Sequence, residues 1–541
     1  MGRCRQSEFV SPARLTCGNI NTRVRLWGRA RSTRLEQAPI MEIGEDACAG
    51  HSHFEGKGSI LPSKFSAVVI TLLLTFSSLV WAQKETNLVN QPPDGAGIGF
   101  LLTDGTVMFQ GNQCTDWWKL TPDNSGSYVN GTWSQLASLP SDYAPYAFSS
   151  AVLGDGRVII EGGEYSGCGS NFSLTDQGAI YDPKADTWTS VDPPSGWNYI
   201  GDSPSSVLPD GTYLLGRKLD KRIAVLDPSA LTWTELNSTG KRDFNAEEGW
   251  TLLPDGSILT ADVKAAPHSE RYIESKQEWL SAGSTIVDLH SPSQFGCIHY
   301  GPNGKYCYYP PGEIGPAMLR PDGTVFATGS YTKNNGAGHT AIYTVATGKW
   351  KVGPDFPNGD NAGDSFAVLL TNGNVLVQGD SGTLYEFDGS KWTTENVPGA
   401  SPILNLPTGE VLVIGQEVAV YTSTGTYKSS WAPAITKFPS SVTRGSTYKI
   451  SGRQFNGLSQ AAAFGDEFQT NTNYPLVRIT NNATGHVFYA KTHDHSTMGV
   501  ATGKQIVSTN FDVPSDTETG ASTLVVVANG IPSKAVNVTV N

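Results

Sequence analysis

Histidine, methionine and charge are all scarce in this chain. Its 541 residues include nine histidines, five methionines and 16% charged residues. Low charge beside 59 glycines and 32 prolines argues against long helices, which both residues interrupt. The chain has no Walker loop, no G-x-G-x-x-G opening a helix and no zinc-ligand spacing. Without these, a phosphate-cradling loop, a dinucleotide fold and a zinc site have no basis in the sequence. Nor is there a G-x-S-x-G nucleophile elbow. The net charge of −12 argues against a nucleic-acid partner, which would need phosphates neutralised.

Long apolar runs are also missing, with one exception. "FSAVVITLLLTFSSLVWA", Phe65 to Ala82, follows Lys57 and Lys64 and ends in small residues. This pattern predicts a secretory signal cleaved before Gln83. The alternative is a signal anchor, since 18 residues just reach the spanning length. Residues 1–64 are an arginine-bearing extension without strand pattern, consistent with a start codon assigned too early. Both readings place the rest outside the cytoplasm, as a secreted, periplasmic or cell-surface protein. The membrane is a partner only if residues 65–82 stay as an anchor. Cys4, Cys17 and Cys48 lie upstream, and the exported part keeps Cys114, Cys168, Cys297 and Cys307. An even count in an oxidising compartment predicts two disulfides. Cys297 and Cys307 bracket a turn-bearing loop, "CIHYGPNGKYC", and Cys114 with Cys168 follows by elimination.

What the chain has in abundance is one turn. An apolar run, a turn with glycine, a second apolar run and a glycine recur seven times. Examples are "FLLTDGTVMFQG" from Phe100, "SVLPDGTYLLG" from Ser206 and "VLLTNGNVLVQG" from Val368. Asp-Gly and Asn-Gly tolerate positive φ and so mark hairpins. Asp104, Asp155, Asp210, Asp255 and Asp322 therefore read as structural turn residues. A tryptophan follows each copy, at 133, 188, 233, 279, 350, 392 and 431, marking a second hairpin. Two hairpins make a four-stranded sheet, and seven such sheets around an axis make a propeller.

These glycines and tryptophans resemble the Kelch repeat. After Ala432-Pro433, "PAITKFPSSVTRGSTYKISGRQF" and "TLVVVANGIPSKAVNVTV" read as strands of an immunoglobulin-like sandwich. The predicted fold is all-β: a seven-bladed Kelch-type propeller over 83–433, then an immunoglobulin-like domain over 434–541. From Gln83 to Asn541 this order resembles the galactose oxidase and glyoxal oxidase family. That resemblance implies a copper radical oxidase, releasing hydrogen peroxide from alcohols or aldehydes. It also implies a tyrosine cross-linked to cysteine, a Tyr-His pair before an inner strand and a histidine from the last domain. None of the segments before the inner strands holds Tyr-His; the nearest pair is the reversed His299-Tyr300. The family's last histidine corresponds to a stretch around Asn471. Copper is thus a cofactor only under this alternative.

Other residues stand in those segments. Seven to nine positions before the hairpin Asp or Asn lie Asp202, Glu247 with Glu248, Glu313 and Asp364. They belong to four successive blades and are expected to face one another at one mouth of the channel. Crowded carboxylates recruit protons, a cation or sugar hydroxyls. Trp250, with Trp197 and Tyr199, is a candidate sugar platform. The competing reading makes these acids solvated loop ends or backbone acceptors. "THDHS" at 492–496 puts His493 and His495 on one strand face as a candidate metal pair. The leading expectation is a monomeric propeller binding carbohydrate or another small polar ligand. The alternatives are the oxidase and a cell-surface structural or adhesion protein.

Overall fold

A computed structural model describes residues 85–541, except 293–295, 301–303, 309–311, 334–335, 396, 398–401 and 416. The signal segment and the first three cysteines fall outside the described residues. Residues 85–541 lie in one compact unit. No helix among the described residues is long and apolar enough to cross a membrane.

The fold is all-β. Seven antiparallel four-stranded sheets, each paired in a meander, form the blades of a propeller. Each inner strand is short and almost wholly buried, for example Ser205–Val207 in blade 3 and Ala367–Leu369 in blade 6. Adjacent inner strands meet through buried serines, Ser205 Oγ donating to the Ser150 carbonyl, while the apolar residues around them pack blade on blade, so hydrophobic burial holds the ring closed. The repeated turns behave as the sequence predicts. Asp104, Asp155, Asp210, Asp255 and Asp322 each accept the backbone N–H two residues on.

Six of the seven tryptophans lie on outermost strands. Trp133, Trp188, Trp233, Trp350 and Trp392 donate their indole N–H to carbonyls of the preceding blade's outer segment. The seventh differs. Trp431 sits in a short 3-10 turn, Ser429–Trp431, with its ring against Gly373. The outer strand of blade 7 is instead the N-terminal Glu85–Asn87, paired with Val418–Tyr421. A strand from one chain end completes a blade from the other, so the ring is clasped by hydrogen bonds. Leu88 then turns into the core, and Val89 donates to Val129 of blade 1.

The C-terminal sheet, from Ala434–Lys437 to Val536–Val540, adds a sandwich-like domain. Its strand Val487–His493 changes partner midway. Residues 487–490 pair with Leu476–Asn481, and 491–493 with Val507–Asp512. The bend folds the sheet over a core including Ile450, Phe455, Val477, Phe511 and Val526. This domain packs on the propeller face that carries the Asp-Gly turns. Thr492 N–H donates to Thr103, His495 N–H to Gly154, and Met498 N–H to Pro209.

Both predicted disulfides are present, Cys114–Cys168 and Cys297–Cys307. Leu88→Ala is expected to cost about 2–5 kcal/mol in urea unfolding, since it opens a cavity beside the clasp. Val89→Ala, at an exposed site, is expected to stay within about 0.5 kcal/mol. Equal effects would show that the clasp does not contribute to stability.

Candidate functional site

Inner strands enter the ring at the face opposite the Asp-Gly turns. The segments before them supply Asp202, Glu247, Glu313 and Asp364. Glu247 and Asp364 have φ of 56° and 49°, a left-handed conformation that non-glycine residues seldom hold. Both backbones therefore turn sharply just before their strands, which aims the carboxylates at the axis.

The channel is not open at its centre. A loop of the C-terminal domain, residues 461–475, runs through it from the Asp-Gly face. Ala462 and Ala463 pair with Val368 and Ala367, adding a fifth strand to blade 6. Phe464 and Phe468 pack on Phe366, and Phe468 meets Phe148 edge-on at 5.1 Å. Gln469 N–H donates to Ser150 Oγ, and Gln460 Oε1 accepts the Leu252 N–H. Two glycines permit the close approach. A Cβ on Gly249 would lie 2.4 Å from the Gly465 carbonyl, and one on Gly465 would lie 2.4 Å from that of Ile314. The loop thereby delivers Asp466 and Glu467, both buried, to the carboxylates of the mouth.

Oxygens of Asp202, Glu247 and Asp466 come within 4.8 Å of one another, as do those of Glu313, Asp364 and Asp466. Asp466 belongs to both groups. Lys218, fully buried, enters the first group. Its Nζ donates to Glu247 Oε1 at 2.9 Å and to Asp202, and lies 3.8 Å from Glu164. Burial, then the nearby Glu467, Glu247 and Asp364, push the Asp466 carboxyl well above the carboxylate range. Burial raises Glu467 and Asp202 as well, and Lys218 only partly offsets it at Asp202. Burial also opposes the charge of Glu247. There, Lys218 and hydrogen bonds with Asp466 and Glu313 win and bring it down to about 2. Lys218 and these hydrogen bonds thus favour the charged form of Glu247, whereas burial favours the protonated form of Asp202, Asp466 and Glu467.

Other expected residues lie elsewhere. Glu248 turns away from the axis to pair with Lys241 at 2.6 Å, which also binds Glu270 at 3.0 Å. Neighbours on a turning backbone point to opposite sides, so Glu247 and Glu248 enter different clusters. Trp250 is no sugar platform. It is buried in the core of blade 4, 5.9 Å from Trp279. Trp197 and Tyr199 are buried too, with Arg217 over both rings.

The histidine pair does not form a chelate with the mouth. Strand Val487–His493 ends at His493, and Asp494 is left-handed with φ of 51°, which breaks the strand alternation. His493 binds Asp494 and Asp512. His495 binds Thr509 Oγ1 and lies beside Gly154, on the Asp-Gly face. The metal-type clusters among the described residues contain carboxylates alone.

The donors also do not fit a copper radical centre. All four described cysteines are in disulfides, which leaves none to cross-link a tyrosine. Where the family's histidine is expected stands Asn471, buried with an unpartnered Oδ1. Tetragonal Cu(II) favours imidazole nitrogens, which the mouth cluster lacks. Sequence reasoning missed Lys218, Asp466 and Glu467. "GDEF" carried acidic residues after a glycine, but nothing local indicated that it would thread the ring.

No protein-family model matches the chain, and no curated protein matches it. Solved structures do. A fungal alcohol oxidase of the AA5 family, in complex with copper, is similar at 14% identity. The match covers 84% of this chain and 98% of that one, with a TM-score of 0.46. A virginiamycin B lyase from Staphylococcus aureus is similar at 12% identity over 63% of this chain and 98% of that one, TM-score 0.40. A streptogramin B lyase is similar at 14% identity over 62% and 96%, TM-score 0.37.

His495 generates a pH prediction. Burial, aided by repulsion from His493, brings its imidazole down to about 3, below the ordinary 6.5. Folding then binds the neutral ring. Its stabilisation is complete above pH 6.5 and is lost as pH falls from 6.5 towards 3. Thermal melts should show the wild type losing more Tm than His495→Gln between pH 7 and pH 4. Parallel losses would refute a neutral-held ring.

Proposed function

We propose that this chain is an exported binding propeller whose acidic mouth takes a small polyhydroxylated ligand, carbohydrate foremost. The observation that carries this reading is the convergence of six carboxyl groups, from four blades and the inserted loop, on one axis. They are graded in depth. Asp202, Glu247, Asp466 and Glu467 are buried, whereas Glu313 and Asp364 are half-buried towards solvent. The outer two are the carboxyls that a ligand reaches from solvent, and carboxylates take hydroxyls through charge-assisted hydrogen bonds. The inner four hold them in place through shared protons and Lys218. With Trp250 buried, recognition falls to hydrogen bonding rather than stacking. Two disulfides among the described residues fit an oxidising compartment, and hence export.

The second reading is the copper radical oxidase. It is favoured by the fold order, propeller then sandwich, and opposed by the donor set. Copper quantitation with peroxide detection over an alcohol and aldehyde panel separates the two: stoichiometric copper with peroxide release would replace the binding reading.

A glycan array tests the first reading. Wild type should retain at least one glycan class, and Glu313→Gln with Asp364→Asn should weaken it about tenfold or more. Those polar, half-buried exchanges keep the fold, which circular dichroism verifies. Retention unchanged in the double variant, or no retained glycan, would remove the proposal.

A further inference from the structure

We infer that Glu313, Asp364 and Asp466 form a binding site for one hard divalent cation of the calcium type, shared between propeller and C-terminal domain. The inference rests on the same mouth as the binding reading, but not on the identity of the organic ligand.

The geometry comes first. One oxygen from each of the three carboxylates lies within 4.8 Å of the others. Two ligands on opposite sides of a calcium ion, at about 2.3–2.6 Å each, are separated by about 5 Å. The three oxygens can therefore contact one ion without moving apart. They come from three separate segments: the strand entries of blades 5 and 6, and the threaded loop. An oxygen-only set suits calcium, magnesium or manganese rather than copper or zinc.

The second observation concerns Asp466 itself. It is 3% exposed, and its Oδ1 is buried with no hydrogen-bond partner. A buried carboxyl oxygen without a hydrogen-bond partner costs free energy that a cation would recover. The neighbouring group shows what such a recovery looks like. There, Asp202 and Glu247 converge on the Lys218 ammonium, a fixed cation supplied by the chain. Asp466 is shared by both groups, so the second group of oxygens adjoins the first.

The depth gradient gives the ion a route. Glu313 and Asp364 are half-buried, so the ion would bind from the solvent side, with Asp466 behind it. Calcium takes six to eight oxygens, so coordination positions remain for water or for ligand hydroxyls. Such an ion would also tie the threaded loop to blades 5 and 6.

The test uses the exported chain, stripped with EDTA and titrated calorimetrically with calcium, magnesium and manganese chlorides. One divalent ion per chain is expected, with a matching rise in Tm. Asp364→Asn should weaken binding about tenfold or more, and Asp466→Asn at least as much. Glu248→Gln, in the separate Lys241 cluster, should bind as wild type. If Asp466→Asn fails to fold, the half-buried Asp364→Asn decides alone. No binding of any of the three ions at millimolar concentration would overturn the inference. So would equal affinity in Asp364→Asn, or preferential stoichiometric binding of copper. The two proposals separate cleanly. Ion binding without any retained glycan sinks only the carbohydrate reading. Glycan retained by stripped protein that binds no ion sinks only this one.

Discussion

The structure depends on the filling of the propeller's axis by a loop from another domain. Seven blades leave a hole that their own inner strands do not close. Residues 461–475 fill it, paired to blade 6 and wedged by Phe464 and Phe468. Gly249 and Gly465 let the backbones approach closely enough. The sandwich-like domain is thereby anchored by a strand inside the ring as well as by contacts at the Asp-Gly face.

The same loop changes the electrostatics of the mouth. Four acids around a wet channel would be solvated and weakly coupled. With the channel filled, they lose water and gain Asp466 and Glu467 as neighbours. Burying unpaired charge is expensive, so the cluster responds in two ways. Lys218 neutralises one side. Burial favours the protonated form of Asp202, Asp466 and Glu467. On the remaining side, oxygens of Glu313, Asp364 and Asp466 lie within 4.8 Å of one another. The two carboxylate groups and the docked domain are thus linked through one residue, Asp466, which belongs to both groups.

Much of this architecture was legible locally. The Asp-Gly repeats specified hairpins because those residues accept positive φ, and six tryptophans marked outer strands. The seventh, Trp431, misled because the last outer strand comes from Glu85–Asn87, a pairing that no repeat within blade 7 encodes. The mouth acids Asp202, Glu247, Glu313 and Asp364 were legible from their recurring offset. Glu248 was not separable from Glu247 by sequence, since their opposite directions follow from a left-handed backbone. "THDHS" makes a ligand pair only on a straight strand. Asp494 breaks that strand, and the two histidines serve the C-terminal domain's own hydrogen bonds.

By itself, then, the sequence determined the repeat, the all-β class, the two disulfides and the position of an acidic mouth. Each is set by short-range chemistry: turn conformation, period-two burial, cysteine parity and position before an inner strand. Only the tertiary structure decided which acids meet and in what environment. Lys218, Asp466 and Glu467 carry no signal in their own neighbourhoods. They come together because a loop from some 100–260 residues further along the chain threads a ring that exists only once all seven blades have closed.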